Sequence, residues 1–143
     1  MARTSLGWRR FMAFGLAAHL GLVLVVAVSA YQGVLWAYLP GIPHFDLAGH
    51  FVLIGGLAFF LDGVLDYRPL TKTCPSWLRL APVAVLALAA IEEFAQALTP
   101  RRTSSVSDFL ADVAGVAFFS WLSHRVGRRG RAGHANDGTN AVG

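Results

Sequence analysis

Four long apolar segments, separated by short polar connections, constrain the fold of this 143-residue chain more than any other feature. They cover residues 11–30, 46–65, 78–98 and 106–126. A helix needs roughly 20 apolar residues to cross the hydrocarbon core of a bilayer, and each segment has about that length. The sequence therefore predicts an all-α fold, a four-helix transmembrane bundle in a single membrane domain at residues 11–126.

The composition favours a membrane protein over a soluble or nucleic-acid-binding one. Hydrophobic residues make up 55% of the chain and charged residues only 14%, whereas a soluble domain carries about a quarter charged residues. The basic residues behind the net charge of +4 lie between the apolar segments and not on one phosphate-binding face. We expect the lipid bilayer as a partner, no nucleic acid and no cofactor. Because Cys74 is the only cysteine, an intramolecular disulfide is impossible.

The distribution of lysine and arginine predicts the orientation of the chain. Ten of the twelve basic residues lie before the first segment, at the connection between the second and third, or at and beyond the end of the fourth: Arg3, Arg9, Arg10, Arg68, Lys72, Arg79, Arg125, Arg128, Arg129 and Arg131. Cytoplasmic connections are enriched in such residues. We therefore predict a cytoplasmic N-terminal segment at residues 1–10 and a disordered, basic and Gly-rich cytoplasmic tail at residues 127–143. A cleaved signal peptide ending near Ala30 is the alternative interpretation of the first segment.

Polar side chains lie at the predicted outer ends of three helices. Asp46 and His50 begin the second segment, Glu92, Glu93 and Gln96 end the third, Arg102 and Ser105 follow it, and Asp108 and Asp112 begin the fourth. Side chains four residues apart share a helix face. A charged side chain inside the membrane costs roughly 2.5–3.5 kcal/mol, so such groups are candidates for function.

Simpler structural roles are open for several ionisable residues. Asp108 follows Ser105 by three residues, as in a capping box, and could cap the fourth helix. Asp46 could likewise cap the second helix, and we expect His19 to be a packed histidine. Two carboxylates near the cytoplasmic end of the second segment are expected to pair with the connection that follows: Asp62 and Asp66 with Arg68 or Lys72.

Three stretches of the outer region resemble the VanZ-like family of bacterial membrane proteins. Asp46-Leu-Ala-Gly-His50-Phe51 resembles the family's Asp-Lys-x-x-His-Phe, and Glu93-Phe-Ala-Gln96 resembles its Glu-x-x-Gln. Arg102-Thr-Ser-Ser105-Val-Ser-Asp108-Phe-Leu-Ala-Asp112-Val-Ala-Gly115 resembles its Arg-x-x-Ser-x-x-Asp-x-x-x-Asn-x-x-Gly. Leu47 stands where the family has Lys, and Asp112 where it has Asn. The cluster in this chain is therefore more acidic than the family pattern.

The resemblance extends over residues 40–126 and implies a multi-pass protein of the bacterial plasma membrane. Through the family's namesake it also implies a link to tolerance of glycopeptide antibiotics such as teicoplanin, but no settled biochemical activity. Our favoured hypothesis is a binding protein in which Arg102 and the turn around Ser105 hold an anionic lipid or a lipid-linked envelope precursor. Four further side chains would complete the binding site: Asp46, Gln96, Asp108 and Asp112.

An enzyme is the first alternative. Glu93 would act as general acid or base, with His50 as a proton relay. A divalent metal would instead need two pairs of side chains as ligands: Asp46 with His50, and Asp108 with Asp112. No known metal-binding signature is present in the sequence, so we predict no metal site.

Two further alternatives stay open. A proton- or ion-coupled carrier would use the same carboxylates and histidine as a relay, since chains of such groups serve pumps and transporters. The cluster could also be a hydrogen-bonded knot that only fixes helix packing. In that case Gly55, Gly56 and Gly115 would permit close approach of the helices.

Overall fold

The computed structural model describes residues 6–33, 45–97 and 106–139. Within these ranges the chain forms four helices: α1 (Leu6–Tyr31), α2 (Phe45–Val64), α3 (Leu80–Ala97) and α4 (Val106–Thr139). The only strand-like feature in the described ranges is an isolated antiparallel bridge between Pro69 and Arg79. The predicted all-α fold is confirmed.

Three of these helices are long and apolar enough to cross a membrane, judged by length and composition: Leu6–Tyr31, Phe45–Val64 and the first part of α4, Val106–Arg128. The chain is therefore a candidate membrane protein. With 18 residues, α3 is the shortest helix, and its last two turns carry Glu92, Glu93 and Gln96. The four-span topology with cytoplasmic termini stays a prediction.

Helix α2 is the centre of the described bundle. It packs against the other three helices, α4 also packs against α3, and among the described residues the backbone of α1 lies close only to that of α2. Met12 of α1 lies against Gly63 of α2, and His19 lies against Gly56, so α1 and α2 run antiparallel. Consecutive membrane spans alternate in direction in this way.

Helices α2 and α4 run parallel, whereas α3 runs antiparallel to both. His50 of α2 contacts Asp112 of α4. Nine residues later on α2, Phe59 contacts Ser123, which lies eleven residues after Asp112 on α4. Arg79, directly before α3, contacts Asp62 near the end of α2. The bundle therefore has two ends, one marked by His50 and the other by Arg79.

The apolar core lies between α2, α3 and α4. Its buried members come from all three helices: Ile54, Leu57, Ala58, Val85, Ala89 and Val116. In contrast, α1 buries only Met12 and exposes large side chains such as Phe14, which is 77% exposed. Lipid tails are as apolar as these side chains, so in a membrane such exposure carries no hydrophobic penalty, and helix association depends on close packing and polar contacts.

Two glycines bring α2 and α4 into backbone contact. A Cβ atom on Gly55 would lie 2.8 Å from the carbonyl carbon and oxygen of Gly115. A Cβ atom on Gly115 would lie 3.0 Å from the Cα atom and carbonyl carbon of Phe51. Real Cβ atoms do not approach backbone this closely. Gly55 and Gly115 therefore permit close approach of α2 and α4, as expected, whereas Gly56 lies against the His19 ring of α1.

Helix α4 continues well beyond its apolar part, to Thr139. The sequence suggested that the helix would end near Val126 and that residues 127–143 would be disordered. The helix assignment covers residues 127–139 of that segment, and the predicted domain boundaries stay predictions. No proline interrupts this stretch, so no residue forces the helix to stop.

Candidate functional site

His50 and Asp112 form the central contact of the predicted site. The Nδ1 atom of His50 on α2 lies 3.1 Å from Oδ1 of Asp112 on α4. Asp112 is buried, with 2% of its surface exposed, and His50 is half-buried. Because a buried carboxylate is costly unless it is paired, this contact accounts for the burial of Asp112 between the helices.

Glu92 and Gln96 form a second polar pair, on α3. The Nε2 group of Gln96 donates a hydrogen bond to Oε1 of Glu92 at 2.9 Å. The two residues are four apart and therefore share one helix face. Gln96 is buried, with 4% of its surface exposed. The bond satisfies a buried amide and directs the Glu92 carboxylate toward the same part of the bundle.

A cavity of about 120 Å³ lies between α1, α2 and α3 and is lined by three members of the two polar pairs, His50, Glu92 and Gln96. Its polar lining comes from Asp46, His50, Glu92 and Gln96. Its lining on α1 is aliphatic and consists of Val23, Val26, Ala27 and Ala30. We call this space the His50 cavity. It has room for several water molecules or for a small polar group.

Asp46 and Asp108 lie at the helix starts that border the same end of the bundle. The Oδ1 atom of Asp46 accepts a hydrogen bond from the backbone N–H of Leu47 at 3.0 Å. Both carboxylates occupy the first turn of their helices, where the helix dipole favours negative charge. The carboxylates of Asp108 and Glu92 are close enough to His50 to interact with it electrostatically.

The structure brings together four residues predicted for the site: Asp46, His50, Gln96 and Asp112. Asp108 lies within electrostatic range of His50. Glu93 is not among the residues that line the cavity, and its neighbour Glu92 takes that position. Arg102 and Ser105 lie outside the described residues, so the proposed anion contact and the capping box stay predictions.

Metal binding finds no support in this part of the chain. Among the described residues, no group of three or more histidine, cysteine, aspartate or glutamate side chains is arranged to hold a metal ion. The arrangement instead offers hydrogen-bond acceptors around one histidine. Such groups bind hydroxyl and amine hydrogens or exchange protons with a ligand.

A second polar cluster occupies the opposite end of the bundle. Asp62 of α2 is fully buried and forms an ion pair with Arg79. The Nη2 group of Arg79 also donates a hydrogen bond to the backbone carbonyl of Ser120 at 3.0 Å. The expectation that Asp62 pairs with Arg68 or Lys72 was therefore wrong. The connection folds back on itself and places Arg79 against the last turns of α2.

Tyr67 and Ser123 extend this second cluster, which we call the Arg79 cluster. The hydroxyl of Tyr67 donates to the backbone carbonyl of Ser123 at 2.9 Å. The hydroxyl of Ser123 donates to the carbonyl of Phe59, also at 2.9 Å. Asp66 and Tyr67 both have positive φ values, 54° and 58°, which are uncommon for residues with a Cβ atom. These contacts join α2, its following turn and α4.

His19 is a packed histidine, as expected. Its Nε2 atom lies 2.9 Å from the carbonyl oxygen of Leu53, and its ring contacts the ring of Phe60 at a centroid distance of 5.7 Å. The polar ring is thereby satisfied inside the α1–α2 contact.

The fold and the site define an all-α protein with apolar helices suited to a bilayer and a polar cavity at one end of them. Comparisons with protein-family models, with curated proteins and with solved structures found no match to this chain. The resemblance to the VanZ-like family therefore rests on the three sequence stretches alone.

Proposed function

We propose that this chain is a VanZ-like protein of the bacterial plasma membrane that binds the polar head of an anionic envelope component in the His50 cavity. In this proposal the cavity lies in the outer half of the membrane and both termini are cytoplasmic. Binding changes the supply or the exposure of that component at the cell surface. Such a change is sufficient to alter tolerance of a glycopeptide such as teicoplanin.

The observation that carries the proposal is the two-sided lining of the cavity. His50, Glu92 and Gln96 supply polar groups on α2 and α3, while α1 supplies aliphatic side chains. An amphiphilic ligand has the same division between a polar head and an apolar chain. The polar groups are paired, His50 with Asp112 and Glu92 with Gln96, and a cavity lies beside these pairs, which a purely structural knot does not require.

The charges suggest which residues would bind which chemical groups of such a head. The described polar groups are mainly acceptors and suit the hydroxyl or amine groups of a sugar or peptide. A phosphate needs a cationic partner, and Arg102 follows α3 in the sequence, six residues after Gln96. A lipid-linked envelope precursor with both phosphate and hydroxyl groups fits this combination better than a simple anion does.

Antibiotic susceptibility tests the proposal. A teicoplanin-sensitive host would express the wild type, His50→Gln or Arg102→Ala, with each protein quantified in the membrane. Leu24→Ala is the matched control for abundance, because Leu24 is 65% exposed and distant in sequence from the polar groups. We expect tolerance from the wild type and the control only. Equal tolerance from all four proteins at equal abundance would reject the proposal.

An acid–base enzyme is the second candidate, and the His50–Asp112 contact favours it. A carboxylate that holds one ring nitrogen orients a histidine so that its other nitrogen can exchange protons. Because His50 lines the cavity, that exchange would occur with the ligand. Membranes containing the wild type would then convert a labelled lipid-linked precursor to a new product, and His50→Gln membranes would not. A binding protein would leave the precursor unchanged.

A further inference from the structure

We infer that the ligand of the His50 cavity is anchored in the bilayer and enters sideways, between α1 and α3. Its polar head would lie among His50, Glu92 and Gln96, and its hydrocarbon chain would leave through the space between these two helices. This inference rests on the proposed function and specifies its ligand class as a polar head on a long hydrocarbon chain.

The first support is the separation of the α1 and α3 backbones. Both helices line the His50 cavity, α1 through Val26 and its neighbours and α3 through Glu92 and Gln96. Each packs against α2, but among the described residues no Cα atom of α1 lies within 8 Å of a Cα atom of α3. The backbones of α1 and α3 are therefore separated on this side of the cavity. In a membrane that side faces lipid.

The second support is the apolar character of both edges of this opening. The α1 edge consists of valine and alanine side chains. On α3, Leu88 precedes Glu92 by one turn and so shares the helix face of the cavity lining, and it is 59% exposed. A hydrocarbon chain passing between these edges would stay in an apolar environment throughout. Only its head would exchange contact with the lipid headgroup region for contact with His50, Glu92 and Gln96.

A sideways route also explains why a membrane protein would keep a costly polar cavity beside an aliphatic wall. A water-soluble ligand would gain nothing from the α1 side chains and would have to enter from the aqueous end. A lipid-linked ligand can reach the polar groups without leaving the bilayer. The hydrophobic anchor then supplies retention in the membrane, and the polar groups supply recognition of the head.

Two adjacent valines provide a matched test of the route. Val26 lines the cavity, whereas Val25 is 63% exposed on the outside of α1. Val26→Trp would fill the opening, and Val25→Trp adds the same bulk at the same depth but outside it. Purified proteins in phosphatidylcholine nanodiscs would be compared by native mass spectrometry. The probe would be a sugar phosphate linked to a long polyprenyl chain, with the same sugar phosphate lacking the chain as competitor.

We expect Val26→Trp to weaken binding of the lipid-linked probe at least about tenfold, which corresponds to about 1.4 kcal/mol. Val25→Trp should bind like the wild type, and the chain-free sugar phosphate should not compete. Ala30→Leu, a smaller change in the same lining, should give an intermediate loss and shows whether the result depends on misfolding of the tryptophan variant.

Three results would overturn the inference in distinguishable ways. If Val26→Trp binds like Val25→Trp while Glu92→Gln binds weakly, the sideways route is wrong and the proposed function survives. If the chain-free sugar phosphate competes as well as the lipid-linked form, the anchor is not part of recognition. If neither Val26→Trp nor Glu92→Gln alters binding, the cavity is not the site and the proposed function fails as well.

Discussion

Asp62 of α2 and Arg79, the residue directly before α3, form an ion pair at the opposite end of α2 from His50. The carboxylate is fully buried, and the guanidinium also bonds to the Ser120 carbonyl of α4. One side chain outside the helices therefore joins α2, α3 and α4. Since lipid offers no hydrophobic drive for helix association, such polar contacts have a large share in holding the bundle together.

We predict that Arg79→Leu destabilises the protein by about 3–5 kcal/mol, because it leaves the Asp62 carboxylate buried without a partner. The double variant Asp62→Leu with Arg79→Leu removes both charges and should recover most of that loss. The free energy of unfolding in detergent checks this, measured for the wild type, the single variants Asp62→Leu and Arg79→Leu, and the double variant. Additive losses in the double variant would contradict the interpretation of the two residues as a pair.

Variants of the adjacent residues Glu92 and Glu93 distinguish a site defined by the cavity lining from one defined by the sequence resemblance. Glu92 lines the His50 cavity and accepts the hydrogen bond of Gln96, whereas the VanZ-like pattern places its glutamate at Glu93. We predict that Glu92→Gln abolishes tolerance of teicoplanin, because it removes the charge that faces the cavity. Glu93→Gln, which changes the same group at nearly the same depth, should retain at least part of the tolerance.

The measurement is the minimum inhibitory concentration of teicoplanin, with membrane abundance of each variant quantified in parallel. The reverse ranking, with Glu93→Gln inactive and Glu92→Gln active, would favour the motif over the cavity. It would also restore Glu93 as the candidate acid or base. Both residues lie in the last two turns of α3, so differences in helix stability do not explain either ranking.

Close packing of α2 on α4 gives a third prediction. Gly115→Ala would bring a methyl group against the backbone of Phe51, which cannot rotate away as a side chain can. We expect a loss of about 1–3 kcal/mol in the free energy of unfolding. Gly21→Ala is the control, because a Cβ atom there meets nothing within 4 Å. It should be neutral or slightly stabilising, as alanine favours helix.

Thermal unfolding in detergent distinguishes the two glycine variants. If Gly115→Ala is as stable as Gly21→Ala, the helices adjust at no cost and the close approach has no energetic weight. Because Gly115 lies three residues from Asp112, the His50 contact should weaken along with the helix packing. A loss of stability with unchanged teicoplanin tolerance would show that the two properties are separate.

Much of the architecture follows from the sequence because apolar length is a direct signal of helices in a membrane. The position of the polar cluster could also be predicted, since helices that alternate in direction place Asp46, His50 and Gln96 at the same end of the bundle. Helical spacing alone leaves the selection between Glu92 and Glu93 open, because they precede Gln96 by four and three residues and both spacings place side chains on one helix face. That selection still required knowing which face of α3 points inward, and an apolar helix with two adjacent glutamates does not reveal it.

The Arg79 contact was missed for a different reason. Asp62 has nearer basic residues in the chain, Arg68 and Lys72, and proximity in sequence favoured them. The connection instead folds back through two residues of positive φ, Asp66 and Tyr67, neither of which is a glycine that would signal such a turn. A backbone hydrogen bond from Leu80 to the carbonyl of Arg68 then closes the connection and places Arg79 beside α2.

The lone cysteine provides a test of orientation without a mutation. Cys74 lies in the connection between α2 and α3, is partly exposed, and is the only thiol in the chain. The basic residues predict that this connection is cytoplasmic. A membrane-impermeant maleimide should therefore leave the wild type unlabelled in intact cells and label it after permeabilisation.

The control is Gln32→Cys in a Cys74→Ser background. Gln32 is exposed just after α1, at the end of the bundle opposite to Cys74, and should show the reverse pattern. Labelling of Cys74 in intact cells would invert the topology, place the His50 cavity on the cytoplasmic side, and remove the basis for direct action on the outer surface.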